Sequence, residues 1–487
     1  MEQKKNFLKL KQYKALLFDF DGTLFDTADA NFQAYHQAYA DLGVEITREM
    51  FKRTKGLSVY QFNEAMGVAC DVEMLRTLKQ KYYSAVVFNS LPNQYLLGVL
   101  KSTKLLTALV TTARRENIQP LMKRYDIDFN VHVTQDNVEN HKPNPECYHQ
   151  AIRRLGVSPS DCLAFEDSDA GVQAAKSAGV DCIRIDGFYK DCIKKLGGGS
   201  GCETKVVLEE NSLVVYKMAK KIEQMERLTA QYRFLEKEYE NDLFVKAEIA
   251  EKIVEKNGIL IECYRMPYVF GESLCQSSNR LLNFYRLMGE ILNYSGILKN
   301  YSGRFNSNSE EKYFDGDKRQ VLKTMYLDSG ARIYREIVGD ELKIPFQKAE
   351  DIPEFVNYFR FTPYHGDTTF ENTIVNNGKI TLIDPVPDRN PIEGVVHDFS
   401  KIGQSLMGYE AIRDGESFDY ATERAIFDAI AYEFLTTPEY FSLKFHTACL
   451  FLRRLKHQQY DDPKLVKPYG KIAERLLQEF ADENYEW

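Results

Sequence analysis

The sequence predicts an α/β fold: a parallel sheet carrying a helical insert, followed by a second half that mixes helices with short strands. Three observations predict it. The apolar run Ala15-Leu16-Leu17-Phe18 stops at Asp19-Phe20-Asp21-Gly22, so a buried strand ends by releasing acids at the carboxyl edge of a sheet, where open α/β folds bind ligands. Two further apolar runs, at 105–112 and 162–167, end in hydroxyls and acids in the same way. Far downstream, the hairpin signal Asn377-Gly378 stands close to His365-Gly366-Asp367.

The totals set bounds on these elements. A chain of 487 residues exceeds one typical core, so two or three domains are expected. Its 44% apolar content is that of a globular protein, and a net charge of -8 argues against a general nucleic-acid binder. No apolar run reaches the length of a membrane span, and the basic start MEQKKNFLKLKQYK lacks the apolar core of a signal peptide. Nine cysteines, odd in number and without CxxC pairs, read as free thiols of a reducing compartment, which predicts the cytoplasm.

In order, Asp19 and Asp21 come first. Two carboxylates this close repel each other unless a cation or a shared proton offsets the charge, and Mg²⁺ is the usual hard ion for such a set. Apolar residues at helical spacing over 28–42, 58–66 and 72–87 predict a helical insert over 27–95. The next strand ends in Thr111 and Thr112, whose hydroxyls can donate to a phosphate oxygen without adding charge. Lys142 follows in a proline-stiffened loop, Asn140-His141-Lys142-Pro143-Asn144-Pro145-Glu146. A third strand ends in Glu166 and Asp167, then a helix over 172–178 stops at Gly179, and 182–185 reads as the last strand.

The string from Leu16 to Thr27, the Thr111/Thr112 tip, the KPxPE loop and the EDSxxG stretch resemble, in order, the four motifs of the haloacid dehalogenase-like (HAD) phosphohydrolases. The resemblance is to the phosphoglycolate phosphatase/β-phosphoglucomutase type and covers 14–186. It implies a Rossmann-like domain with 27–95 as a helical cap that closes over substrate. It implies Asp19 as the nucleophile that becomes an aspartyl-phosphate, and Asp21 as the general acid and then base. Thr111, or its neighbour Thr112, and Lys142 would bind the phosphoryl group. Mg²⁺ would be held by Asp19, Asp21, Glu166 and Asp167. An Asp at position 21 matches both the phosphatase and the phosphomutase branches, so both stay open.

A boundary is expected near 190–196. Gly197-Gly198-Gly199-Ser200-Gly201 reads either as a linker or as a phosphate-gripping loop, and two strands follow at 204–208 and 213–217 around a turn at 209–212. Lys217 ends the second strand. A helix is expected over 221–240, a strand running into a hinge over 258–268, and a new helix from 271–274. Mostly helix is expected over 278–360, broken by the polar segment 300–317. The hairpin then supports a geometric argument. If Asn377-Gly378 is the turn, Asn376 pairs with Lys379 and Asn372 falls opposite Ile383, one residue from Asp384. Two oxygen ligands thus converge at the hairpin's open end, as Mg²⁺ requires, with Asp367 just upstream as a candidate base.

The glycine-rich loop, two strands and terminal lysine resemble the phosphate-gripping corner of a protein-kinase-like small lobe. His365-Gly366-Asp367 through Asn372, with Ile383-Asp384-Pro385, resembles the catalytic loop and metal motif of the aminoglycoside phosphotransferase and choline kinase family. His397-Asp398-Phe399-Ser400 matches a structural part of that family. The resemblance implies a protein-kinase-like α+β domain over 195–487, with a small lobe at about 196–268 and a large lobe at about 269–487. Gly198, Gly199, Ser200, Gly201 and Lys217 would bind ATP, Asp367 would orient and deprotonate a hydroxyl, and Asn372 and Asp384 would hold Mg²⁺. The family position for the glutamate that pairs with Lys217 holds Gln231, with Glu226 and Glu236 as substitutes. The expectation is a bifunctional cytoplasmic enzyme. Its domain 1–194 would hydrolyse a phosphorylated small metabolite, and its domain 195–487 would phosphorylate a small hydroxylated metabolite from ATP, with neither nucleic acid nor a membrane span involved. The alternative is a phosphomutase or phosphatase regulated by a nucleotide-binding, catalytically weak kinase-like domain.

Overall fold

A computed structural model of the chain describes residues 10–53, 59–196, 201–255, 258–277, 279–295, 317–357, 362–386, 394–435 and 437–482. The expected glycine-rich residues Gly198, Gly199 and Ser200, and all but the end of the polar segment 300–317, lie outside them. By contact the chain forms two compact units: Met1–Gln224 with Glu248–Lys252 and Glu262–Tyr268, and Met225–Ala247 with Ile253–Ile261 and Val269–Trp487.

The first unit is built on β1 (Ala15–Phe18), every residue of which is fully buried. In chain order there follow β2 (Phe25–Asp26), α1 (Ala28–Asp41), α2 (Arg48–Arg53), α3 (Val59–Met66), α4 (Val72–Val86), β3 (Leu91–Pro92) and α5 (Gln94–Ser102). Then come β4 (Leu106–Val110), α6 (Arg115–Tyr125), β5 (Val131–Val133), α7 (Glu146–Leu155), β6 (Cys162–Glu166), α8 (Asp169–Ser177) and β7 (Asp181–Arg184). The sheet runs β5-β4-β1-β6-β7 and all its pairings are parallel. On one face Leu17, Ala108, Val110 and Ala164 pack against Tyr148, Ala151, Ala174 and Ala175 of α7 and α8. On the other, the Phe18 ring stacks on Phe165 at 5.0 Å. The register is what matters for function. Phe18 lies opposite both Leu109 and Phe165, so β1, β4 and β6 release the residues that follow them at one edge.

Two expectations are refined here. Helix α8 starts at Asp169 instead of 172, because the Ser168 hydroxyl caps it by accepting the Gly171 N–H at 3.1 Å. Strand β5 carries no sequence signal of its own, since three residues are too few to show a period. The insert α1–α4 has a separate core of Tyr35, Tyr39, Phe62 and Leu75, with Tyr35 stacked on Phe62 at 4.1 Å. It joins the sheet domain through β2 and β3, which pair with each other. Asn93 fixes the return by donating to the Thr23 carbonyl at 3.1 Å and capping α5.

Beyond β7 lie β8 (Lys194–Leu196), β9 (Glu203–Glu209), β10 (Ser212–Met218), α9 (Ile222–Lys237), β11 (Glu248–Glu255) and β12 (Gly258–Pro267). The strands form one sheet in the order β11-β12-β10-β9-β8. Glu210 and Asn211, at φ 44° and 67°, are the two positive-φ residues of a tight hairpin turn, as expected between β9 and β10. Strands β8, β9 and β10 count with the first unit, as do Glu248–Lys252 of β11 and Glu262–Pro267 of β12, while the rest of β11 and β12 counts with the second. The Tyr13 N–H donates to the Asn211 carbonyl at 2.9 Å, Gln12 donates to the Ser212 hydroxyl at 2.6 Å, and the Leu208 N–H donates to the Tyr95 hydroxyl at 3.0 Å. The expected boundary after 194 thus falls at the first residue of the sheet.

The second unit is mainly helical. After β13 (Glu272–Ser273) come α10 (Arg280–Tyr294), α11 (Arg319–Leu322), a π-helical turn over Lys323–Asp328, and α12 (Ser329–Val338). Next are β14 (Thr373–Asn376), β15 (Lys379–Leu382), α13 (Val395–Leu406), α14 (Tyr409–Asp414), α15 (Tyr420–Phe434), α16 (Thr437–Asp461) and α17 (Val466–Asp482). The long α16 is the spine, with α12, α13 and α17 against it and Leu443, Phe445, Ala448, Phe451 and Leu455 buried. Two sequence expectations fail in this unit. Residues 271–273 do not open an α-helix, and only a single 3-10 turn follows at Leu274–Gln276: Glu272 and Ser273 pair with Val375 and Ile374, and Gly271 sits so close that a Cβ would lie 2.5 Å from the Val375 carbonyl. Nor does α-helix continue through the described residues 340–357, which hold only short 3-10 turns. It stops at Gly339 (φ 83°), and Pro345 and Pro353 beyond it lack the N–H that a helix needs. Among the described residues no helix is long and apolar enough to cross a membrane, and all nine cysteines are free.

Candidate functional site

The level ends of β1, β4 and β6 deliver Asp19, Thr111-Thr112 and Glu166-Asp167 to one place, and the loop before α7 adds Lys142. The Lys142 ammonium donates to Asp19 Oδ1 at 2.8 Å, to Glu166 Oε1 at 2.5 Å and to the Val110 carbonyl at 2.8 Å. Tyr148 donates to the same Glu166 oxygen at 2.6 Å. Burial alone would lower the Lys142 pKa, but the Asp19 and Glu166 carboxylates more than reverse that and keep it charged. Burial pushes the Asp19 and Glu166 carboxyls up, with Lys142 opposing.

Ligand oxygens of Asp19, Glu166 and Asp167 all lie within 4.8 Å of one another. Glu166 Oε2 is buried and has no hydrogen-bond partner among the described residues. A cluster of carboxylates offset by one lysine, with a buried oxygen unsatisfied, fits a hard divalent cation such as Mg²⁺. Gly22 holds the approach open: at φ 82°, a Cβ there would lie 2.1 Å from Asp167 Oδ2. The Asp21 carboxylate is outside that triplet. Its Oδ1 accepts from the Thr27 hydroxyl at 2.5 Å, and burial raises its pKa against that bond, which suits a group that must carry a proton.

A cavity of about 180 Å³ opens between the insert and the sheet edge. Asp19, Asp21, Thr112, Lys142 and Asp167 line it from the sheet side, and Asn31, Tyr35, Arg76, Lys79, Gln80 and Tyr83 from the insert. Of the two threonines left open by the sequence, Thr112 lines this cavity. Thr111 does not, and its hydroxyl accepts the Ala113 N–H at 3.0 Å. Sequence reasoning missed Lys79. It is buried over the Tyr83 ring at 4.3 Å, and burial lowers its pKa to about 8 while Asp21 opposes. The signal was there, since Lys79 stands at i+4 from Leu75 and i−4 from Tyr83, inside an apolar stripe.

In the second unit the hairpin has the register that the Asn-Gly turn requires: Asn376 pairs with Lys379, Thr373 with Leu382, and the Ile383 N–H donates to the Asn372 carbonyl at 3.0 Å. Asn377 (φ 49°) and Gly378 (φ 78°) form the turn, and Asp384 (φ 55°) leaves the hairpin in a left-handed conformation. Asn372 reaches back with its amide to the Asp367 Oδ2 and the Asp367 carbonyl, each at 3.0 Å. The Asp398 carboxylate accepts the His365 and Gly366 N–H groups at 2.8 and 2.7 Å, and burial lifts its pKa to about 7 against them. Lys401, which the sequence did not single out, places its ammonium 3.0 Å from Asp367 Oδ1. Burial would raise the Asp367 pKa, but Lys401 more than reverses this.

Lys217, assigned to ATP from the sequence, is a first-unit residue in the middle of its sheet, 1% exposed and paired in register with Thr204 and Tyr264. Gly201 (φ 68°) has its carbonyl held by Gln224 at 2.8 Å. Gln231 is buried on α9.

Comparison with known proteins gives a family. The profile of haloacid dehalogenase-like hydrolases matches residues 16–185. The phosphorylated carbohydrates phosphatase of Thermotoga maritima is 31% identical over 180 residues, which span 35% of this chain and 83% of that protein. The β-phosphoglucomutase of Bacillus subtilis is 29% identical over 189 residues, 35% of this chain and 83% of that one. Among solved structures, CbbY from Rhodobacter sphaeroides in complex with phosphate aligns with 28% identity and a TM-score of 0.32, over 36% of this chain and 88% of that one. Through residues 16–185, with the acids at level strand ends and Lys142 between them, this chain belongs to the haloacid dehalogenase-like hydrolase family.

Proposed function

We propose that the first unit hydrolyses the phosphomonoester of a small metabolite, a sugar phosphate in keeping with the Thermotoga relative. The observation that carries this reading is the Lys142 ammonium bridging Asp19 and Glu166 at the mouth of the capped cavity. Asp19 attacks phosphorus and takes the phosphoryl group as an aspartyl-phosphate, splitting one hard displacement into two easier ones. Asp21, whose pKa burial raises, gives a proton to the leaving oxygen and then takes one from the attacking water. Lys142 and Thr112 hold the phosphoryl oxygens, and the insert excludes bulk water. Asp19, Glu166 and Asp167 would hold Mg²⁺, with Asp21 beside them, and that ion would offset charge on the transferring group.

We propose, as a second activity, ATP-dependent phosphorylation of a hydroxyl on a small metabolite. It is supported by the Asp367–Asn372 pair at the open end of a hairpin whose register carries Asp384 to the same end. In this reading Asp367 orients the hydroxyl, Asn372 and Asp384 hold Mg²⁺, and Gly198, Gly199, Ser200, Gly201 and Lys217 bind ATP. The functional division is then 1–194 for the phosphatase and 195–487 for the kinase, in a cytoplasmic enzyme, as the unpaired cysteines suggest.

The test uses two variants of the whole chain. Asp19→Asn abolishes phosphate release and leaves ATP-dependent phosphorylation intact, and Asp367→Asn does the reverse. Loss of both activities in either folded variant refutes two separate sites. ATP binding without turnover would instead make the second half a nucleotide-sensing module.

A further inference from the structure

Helix α13 reads the 365–370 loop along one face. His397, Asp398, Lys401 and Ser405 stand at spacings i, i+1, i+4 and i+8, and each engages a successive part of the loop. His397 Nε2 lies 3.2 Å from the Gly366 carbonyl, and Asp398 accepts the His365 and Gly366 N–H groups. Thr368 donates to the Asp398 carbonyl at 2.6 Å, and Ser405 accepts the Phe370 N–H at 3.1 Å. Each of these contacts involves backbone, so together they fix the path of the loop. Lys401 is different. Its 3.0 Å contact is to the Asp367 side chain, and the loop's path does not depend on it.

We propose that Lys401 is a positioning residue for phosphoryl transfer at Asp367, an inference that rests on the kinase reading. The Asp367 carboxylate is held at both oxygens, by Lys401 at Oδ1 and by the Asn372 amide at Oδ2. Held so, it presents its remaining lone pairs in one fixed direction for an incoming hydroxyl. In a loose transition state the hydroxyl proton leaves late, so orientation of the base counts for more than its strength. The ammonium also offsets charge where Asp367, Asp384 and the donor phosphates gather. In the transfer itself the acceptor oxygen forms a bond to the γ-phosphorus, the bond to the β-γ bridging oxygen breaks with its electron pair leaving on ADP, and the hydroxyl proton passes to Asp367.

The experiment is steady-state ATP consumption with a hydroxylated acceptor, using Lys401→Met and Lys401→Arg in the full chain, with ATP affinity and Tm measured alongside. The Met variant loses about 10²-fold in kcat, the scale on which a positioned acid–base group acts, with KM for ATP and Tm unchanged. The Arg variant keeps a charged donor and recovers to within about tenfold, because its fork meets the carboxylate at a different angle. A Met variant at wild-type kcat overturns the proposal, as does an Arg variant no faster than Met. So does a joint fall of Tm and ATP affinity, which would make Lys401 structural. A wild-type chain that transfers no phosphoryl group to any acceptor overturns the kinase reading, and this proposal with it.

Discussion

Replacing Asp19 by Asn isolates what the acid cluster costs the fold. Taking 4.8 Å as the separation, each like-charge contact of Asp19 with Glu166 and Asp167 opposes folding by about 3 kcal/mol at an effective dielectric of about 20. The attraction of Lys142 at 2.8 Å returns about 6 kcal/mol on the same scale, so the Coulomb terms nearly cancel. What remains is the desolvation of a carboxylate that is only 6% exposed, several kcal/mol that an amide does not incur. The Asn oxygen still accepts from Lys142. In the presence of a chelator, Asp19→Asn should therefore be as stable as the wild type, or up to about 2 kcal/mol more stable, although it is inactive. Saturating Mg²⁺ should close that gap, because an ion at a hundred times its Kd adds about 2.7 kcal/mol to whichever form binds it. Calorimetry with and without Mg²⁺, following the transition that the ion shifts, measures both. A variant less stable than wild type by more than about 1 kcal/mol in chelator would show that Asp19 is a net structural contributor and that the charge argument is wrong.

Two further predictions concern the second unit. His446, fully buried against the Val356 carbonyl at 3.0 Å, has its pKa pulled from 6.5 to about 4 by burial. The unfolded chain thus binds the extra proton first, and stability is complete above pH 6.5 and falls as pH drops toward 4. His446→Gln should remove about 3 kcal/mol of that dependence, and an unchanged slope of unfolding free energy against pH would refute it. Deleting Asn376 should slip β14 against β15 by one residue, carry Asn372 away from Asp384 and collapse ATP-dependent phosphorylation, while Lys379→Ala at the exposed turn is nearly silent. Full activity in the deletion variant would mean that the two residues do not act through this hairpin.

Where the sequence was legible, a short-range rule tied residues to geometry. Asp19 could be placed at a sheet edge because a fully apolar strand has to end where its first charge appears, and Asn372 could be set against Ile383 because a two-residue Asn-Gly turn admits one register. By its local pattern Lys142 is a lysine in a stiff loop, and it was the family resemblance that assigned it to the phosphoryl group. That it spans Asp19 and Glu166 depends on three strands ending level, which no local pattern records. Lys401 and Lys79 were missed for the same physical reason: each is a cation on a helix, and its partner comes from a distant segment. The failure at 271–274 is of another kind. A glycine followed by polar residues reads as a helix start, but an unpaired hairpin edge offered Glu272 and Ser273 backbone partners that a helix start could not match.

The hydrogen bond from the Leu208 N–H to the Tyr95 hydroxyl gives the order of the chain a mechanical meaning. Tyr95 stands three residues past Pro92, the end of one of the two strands through which the lid is attached. The start of α5, where the chain returns from the insert, is thus tied to β9. A gene fragment cut after residue 194 would sever a single peptide link, yet would leave Tyr95, Tyr13 and Gln12 without the strands they grip. The contact-defined unit that holds the phosphatase motifs runs past residue 194, through Gln224, and takes in Glu248–Lys252 and Glu262–Tyr268. A natural or engineered recombination that respects the catalytic motifs alone would transplant the insert without the strand that Tyr95 holds.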